Sequence, residues 1–204
     1  MNIAVFASGR GSNFQAILQA IDDGLLPARV TLLVSNNSNA GALELARSRN
    51  IPAIHLSQKQ FSSEVAYGDR LLELLARHGV DLIALAGYMK RVPAIVIERY
   101  RNKILNIHPA LLPAFGGSGM YGIHVHEAVL AAGVKITGAT VHLVDEEYDK
   151  GPIVAQKAVE VSSDDTPESL AARVLAVEHE IYPKVLAAFA GNRVHLEGRR
   201  VWIQ

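Results

Sequence analysis

Ile3-Ala4-Val5-Phe6-Ala7-Ser8-Gly9-Arg10-Gly11-Ser12-Asn13 runs an apolar segment straight into a glycine-rich loop. A short, continuous apolar run bounded by glycine reads as a strand buried on both faces. Asn13–Ile21 behind it has helical spacing and ends near Gly24. Strand, tight glycine turn, helix is the opening of a βα unit, and it predicts an α/β protein.

The rest of the chain repeats that alternation. Strands are expected at Val30–Val34, Ala53–Leu56, Leu82–Ala86 and Ile104–Ile107, with helices over Ala42–Arg49, Val65–Arg77 and Ala94–Tyr100. Such βαβ succession calls for a mostly parallel, twisted sheet flanked by helices. The later part changes character. Thr137–Val144 and Ile153–Val161 are β-rich and close in sequence, which predicts an antiparallel pair. Asp165-Thr166-Pro167-Glu168 is a helix-start signal before a long amphipathic helix over Pro167–Phe189. Arg193–Leu196 and Arg200–Ile203 around Gly198 read as a small hairpin. No repeat or linker interrupts the chain, so a single domain over residues 1–204 is expected.

Composition narrows the class. Half of the 204 residues are hydrophobic, enough for a core without staples, and there is no cysteine, which excludes disulfides and thiolate metal sites. Twenty basic residues cancel twenty acidic ones, which argues against nucleic-acid or membrane-surface partners. The N-terminus lacks a basic leader and no apolar run reaches membrane-spanning length, so a cytoplasmic protein is expected.

The loop after the first strand fits neither standard nucleotide pattern. A P-loop needs Lys-Ser/Thr after its last glycine, and Ser12-Asn13 stands there. The dinucleotide fingerprint needs glycine at Phe14 and an acidic residue where Ser35-Asn36-Asn37 follows the second strand. A single phosphate, held by backbone N–H groups with the Ser12 and Asn13 side chains, fits what remains. A tight turn with no ligand is the alternative.

Leu105-Asn106-Ile107-His108-Pro109 places an amide and an imidazole two residues apart at the end of a buried strand. Residues i and i+2 share a face, at the sheet end where open α/β folds put their ligands. An amide to stabilise an oxyanion beside a group that carries a proton suits acyl or formyl transfer. A satisfied core histidine and a helix cap are the plain alternatives. Asp149 lies in a loop closed by Gly151-Pro152; a carboxylate near His108 would favour the imidazolium and raise its pKa. Four acids in Asp145–Asp149 also suit a solvated loop, and the residues alone do not single out Asp149. His124 and His126 straddle the start of a helix over Ile123–Ala132 and lack metal-site spacing, so no metal is expected. Lys90, Arg91, Arg99, Arg101 and Lys103 form a basic stretch, either a solvated face or a contact for an anionic tail.

Several motifs together resemble the phosphoribosylglycinamide formyltransferase family along essentially the whole chain. They are Ala7–Asn13, Leu85-Ala86-Gly87-Tyr88-Met89, Asn106–Pro113, Gly138–His142, Asp149–Pro152 and Glu178-His179-Glu180-Ile181-Tyr182-Pro183. The resemblance implies a Rossmann-like formyltransferase fold with a mixed sheet of seven strands. It also implies a phosphate-binding half over residues 1–100 and a folate-binding, catalytic half over 101–204. By the same resemblance, Asn106, His108 and Asp149 are catalytic and His142 supports them. Gly11, Ser12 and Asn13 hold the substrate phosphate, and Glu178 contacts the glycinamide. Met89, Lys90, Arg91 and Val92, with Asn106 and the Asp145–Asp149 loop, contact the folate. The implied reaction is formyl transfer from 10-formyltetrahydrofolate to the amine of 5-phosphoribosylglycinamide in purine biosynthesis, without metal, by a monomer or homodimer acting on small molecules. Asp149 would keep His108 charged and position a water for proton relay. Formyltetrahydrofolate deformylase and methionyl-tRNA formyltransferase share the core but are expected to carry an extra domain; a non-catalytic nucleotide-binding protein is a further rival. The chain departs from the family at Glu64, at Tyr67-Gly68-Asp69, at Lys90-Arg91 and in a longer Phe115–Gly122 loop with four glycines, a possible flap.

Overall fold

The structure, a computed structural model, describes all 204 residues. Seven strands are hydrogen-bonded in the order β3-β2-β1-β4-β5-β6-β7, a mixed, mostly parallel sheet with six helices in the chain. The chain forms two compact units, Met1–Leu105 and Asn106–Gln204.

The first unit holds β1 (Asn2–Phe6), α1 (Ser12–Asp22), β2 (Arg29–Ser35), α2 (Gly41–Ser48), β3 (Ala53–His55), α3 (Glu64–Arg77), β4 (Leu82–Leu85) and α4 (Ala94–Arg99). β1 pairs in parallel with β2 and β4, and β2 with β3. Ile3, Ala4, Val5 and Phe6 are fully buried, as are Leu32, Leu33 and Val34. That is why these strands read as continuous apolar runs rather than alternating ones. Leu71, Leu74 and Leu75 of α3 recur at helical spacing and supply a buried face.

β5 (Ile104–His108) ends in the second unit, which continues with α5 (Ile123–Ala131), β6 (Ile136–Leu143), β7 (Ile153–Glu160), α6 (Pro167–Ala190) and the hairpin β8 (Val194–Glu197) and β9 (Arg200–Ile203). β6 and β7 pair antiparallel, from Ile136 opposite Glu160 to His142 opposite Ile153. β8 pairs antiparallel with β9. Thr166 caps α6 by accepting from Ser169 N–H, and Pro167 occupies the first turn, where its missing N–H costs nothing. Element types agree with the sequence reading throughout, and boundaries move by a residue or two. No helix is long and apolar enough to cross a membrane.

Candidate active site

The second unit gathers the sequence-predicted catalytic residues. β5 brings Asn106 and His108 to its end, and β6 presents His142. Asn106 Nδ2 lies 3.0 Å from His142 Nε2, and His142 Nδ1 lies 2.8 Å from the Leu143 carbonyl. A carbonyl can only accept, so Nδ1 carries a proton. In the neutral ring Nε2 then accepts from the Asn106 amide. One of the two amide hydrogens of Asn106 is thereby committed to His142, which fixes the plane of the group.

Asp149 closes the cluster. Its Oδ2 is 3.7 Å from His108 Nδ1 and its Oδ1 is 3.5 Å from His142 Nε2, with both rings buried and the carboxylate nearly so. Asp149 has φ 55°, a left-handed conformation uncommon outside glycine. Gly117 N–H donates to its Oδ2 at 2.8 Å. The two histidines and this N–H hold its carboxyl below the usual carboxylate range, against a burial effect of opposite sign.

His108 sits between two acceptors. Nε2 is 2.8 Å from the Phe115 carbonyl, and Nδ1 faces Asp149. Both favour protonation, yet burial outweighs them and holds the imidazole below its ordinary pKa, with nearby His142 a smaller influence of the same sign. The expected effect of Asp149 is therefore present in sign but does not win. Burial thus opposes the charging of His108 that a neighbouring carboxylate was expected to favour.

The Phe115–Gly122 loop belongs to this cluster through its backbone. A Cβ on Gly116 would fall 2.5 Å from Leu112 Cδ2 and 3.2 Å from Asp149 Cβ. Two further side chains order the segment after His108. Thr140 Oγ1 donates to the Ala110 carbonyl at 2.6 Å and accepts from Leu112 N–H, and Gln156 Nε2 donates to the Leu112 carbonyl at 2.9 Å. Sequence reasoning missed these contacts. A backbone carbonyl has no residue-type signal, and a strand threonine or glutamine has an ordinary one.

Other predicted residues sit as follows. Asp145 accepts from Glu147 N–H at 3.0 Å, so its carboxylate shapes its own loop. Glu178 is buried on α6. His124 is exposed and 3.0 Å from Glu127, whereas His126 is buried with Nδ1 lacking a hydrogen-bond partner, so the two rings diverge along α5. No group of three or more His, Asp or Glu side chains is placed to hold a metal ion.

In the first unit, Gly11 (φ 86°) is the N-cap of α1, with no side chain capping the helix. Its missing Cβ also lets the loop lie against α2, where an added one would stand 2.9 Å from Ala42 Cβ. Ser12 and Asn13 occupy the first turn, with Asn13 buried. Uncapped N–H groups at a helix start form a ready anion site. Met89 is half-exposed and Val92 buried, with Lys90 and Arg91 exposed between them. The Gly68 departure has a packing cause, since a Cβ there would fall 2.6 Å from Ile95 Cδ1 and 3.2 Å from Pro93 Cβ. Glu64 opens α3 after the Ser63 cap, where its charge suits the helix N-terminus.

A mixed seven-stranded sheet in this order, with an amide, two imidazoles and a nearly buried carboxylate gathered at the ends of β5 and β6, is the fold of a formyl transferase. The sequence pattern of the formyl transferase family matches residues 1–186. Within it, the chain belongs to the phosphoribosylglycinamide formyltransferase family. It is 42% identical to phosphoribosylglycinamide formyltransferase of Bacillus subtilis over 92% of this chain and 94% of that protein. A crystal structure of glycinamide ribonucleotide transformylase 1 from Symbiobacterium toebii superposes with a TM-score of 0.93 at 43% identity, covering 100% of this chain and 93% of that one. The chloroplastic phosphoribosylglycinamide formyltransferase of Arabidopsis thaliana is 47% identical over 94% of this chain, which spans 66% of that protein's length. A formyltetrahydrofolate deformylase from Pseudomonas syringae shares the fold at 25% identity, and this chain covers 65% of it.

Proposed function

We propose that the chain transfers the formyl group of 10-formyltetrahydrofolate to the primary amine of 5-phosphoribosylglycinamide, in de novo purine biosynthesis. The observation that carries this reading is the cluster in which Asn106 is bonded to His142 and the Asp149 carboxylate lies 3.7 Å from His108 and 3.5 Å from His142. The amine lone pair forms a bond to the formyl carbon, and the carbonyl π electrons move onto oxygen. Asn106 donates its second amide hydrogen to that oxyanion. Neutral His108 takes the proton that the attacking nitrogen sheds, and Asp149 stabilises the imidazolium so formed. Collapse re-forms the carbonyl and breaks its bond to N10, and His108 returns the proton to that nitrogen. No covalent enzyme intermediate is required.

His108 needs a ring nitrogen free for this work. The Phe115 carbonyl only accepts, so Nε2 carries the proton of the neutral ring and Nδ1, facing Asp149, is the free nitrogen. Gly11, Ser12 and Asn13 take the substrate phosphate, and Glu178 the glycinamide. Met89, Lys90, Arg91, Val92, Asp145 and Asp149 line the folate. The partners are these two small molecules, the compartment is the cytoplasm, and no metal takes part.

His108→Ala is expected to lower turnover by orders of magnitude with little change in substrate binding; near-normal turnover would refute the assignment. Tetrahydrofolate release, followed with and without 5-phosphoribosylglycinamide, separates the rivals. Release without the acceptor identifies a hydrolase, and no release in either case identifies a binding protein.

A further inference from the structure

Ser35-Asn36-Asn37, the polar tip that follows β2, has no part in the chemistry above, yet it is bonded to the loop that follows β1. Ser8, only 9% exposed, is the node. Its hydroxyl accepts from Met89 N–H at 2.8 Å and donates to Asn36 Oδ1 at 2.5 Å. Its own N–H donates to the Gly87 carbonyl at 3.0 Å, and its carbonyl accepts from Asn37 Nδ2 at 3.4 Å. Ser35 Oγ braces the tip by donating to the Asn37 carbonyl at 3.0 Å. One serine therefore ties together the segments that leave three neighbouring parallel strands, β2, β1 and β4.

We propose that Ser8 is a positioning residue that couples the Gly11–Asn13 loop to the Met89–Val92 segment, so that the two substrates bind with positive cooperativity. This rests on the substrate assignments made above. The chain Met89 N–H to Ser8 O–H to Asn36 Oδ1 is directional, each bond polarising the next. Met89, Lys90 and Arg91 are exposed, and the Met89 N–H bond ties their backbone to Ser8. A ligand that orders the loop containing Ser8 also orders the Met89 amide, and the second ligand meets a segment already fixed. By linkage the effect is reciprocal.

Titration calorimetry with tetrahydrofolate, alone and with saturating 5-phosphoribosylglycinamide, measures the coupling without turnover. In the unaltered protein the ribonucleotide is expected to tighten folate binding about fivefold or more, the lower end of ordinary coupling. It should also slow hydrogen exchange at the Met89 amide. Ser8→Ala should bring the affinity ratio to about one, a change that general destabilisation does not produce, and Ser8→Thr, which keeps the hydroxyl, should restore it. Asn36→Ala removes the outer bond alone and should give an intermediate ratio; it carries the test if Ser8→Ala does not fold. Both ligands binding without mutual tightening, or a full ratio surviving in Ser8→Ala or Asn36→Ala, overturns the coupling and leaves the functional reading intact. Failure of either ligand to bind the unaltered protein overturns both.

Discussion

Asp149→Asn removes one charge while keeping the shape of the group. In a catalytic cycle that charges His108, the carboxylate 3.7 Å from Nδ1 is the main source of imidazolium stabilisation. At an effective dielectric constant of about 20, opposite unit charges at that distance attract by roughly 4 kcal/mol. This corresponds to about a thousandfold in the imidazolium equilibrium and sets the ceiling on the loss of turnover. The Gly117 N–H and the two rings reach a carboxamide as well as a carboxylate, so the loop is expected to hold its place. The pH dependence supplies a second readout. His108 already titrates below its ordinary value because burial disfavours its charge. Turnover requires the neutral base, so it falls as pH drops through that depressed pKa. Without the Asp149 charge the pKa falls further, and the acid limb of kcat moves to lower pH while the plateau drops. Stopped-flow or steady-state release of tetrahydrofolate across pH 5 to 8 measures both. Asp23→Asn is the control, because Asp23 lies in the first unit, where its carboxylate accepts from Gln19 at 2.8 Å. A plateau within about threefold of the parent, or an acid limb displaced upward, refutes the reasoning.

Three further outcomes follow from packing and protonation. Gly151→Ala puts a Cβ 1.8 Å from the Leu143 carbonyl oxygen, a backbone atom that cannot step aside, so a loss of about 3 kcal/mol is expected in urea unfolding; Gly9→Ala, with nothing within 4 Å, should change stability little. Thr166→Ala deletes the cap of α6 and should cost about 1 kcal/mol, or roughly 2–4 °C in Tm, whereas Thr166→Ser should not. Burial lowers the pKa values of His108, His126 and His179 from the ordinary 6.5, so below that pH the unfolded chain binds protons that the folded protein does not. Their contribution is complete above the ordinary value and is lost as pH falls through the depressed ones, so Tm should be lower at pH 5 than at pH 7.5, and less so in His126→Asn. A higher Tm at pH 5 contradicts the sign.

What the sequence makes legible here is whatever a residue type or a period encodes. Ile3–Ala7 announces a buried strand because parallel strands are apolar on both faces. Thr166-Pro167 announces a helix because a capping threonine before a proline, whose missing N–H costs nothing in a first turn, is a helix-start signal. Asn106 and His108 announce a site because a strand end sets i and i+2 on one face. Each of these is local physics, and each element formed where the pattern placed it. His108 shows where such reasoning stops. Its pKa is a balance between burial and three neighbouring groups, Asp149, the Phe115 carbonyl and His142, and the residues alone point only to an acid somewhere in the Asp145–Asp149 loop. The Phe115 carbonyl is backbone, His142 lies 34 residues away on another strand, and burial is a property of the packed unit. A count of neighbouring charges predicts a raised value because it omits the largest contribution, the loss of water around the ring. Ser8 illustrates the same point for hydrogen bonds. Serine after a strand is ordinary, and only the parallel order β2-β1-β4 brings Asn36 and the Met89 N–H to one hydroxyl. Chemistry that side chains carry can be read along the chain; chemistry that arises where backbones converge becomes visible only once the strands are in order.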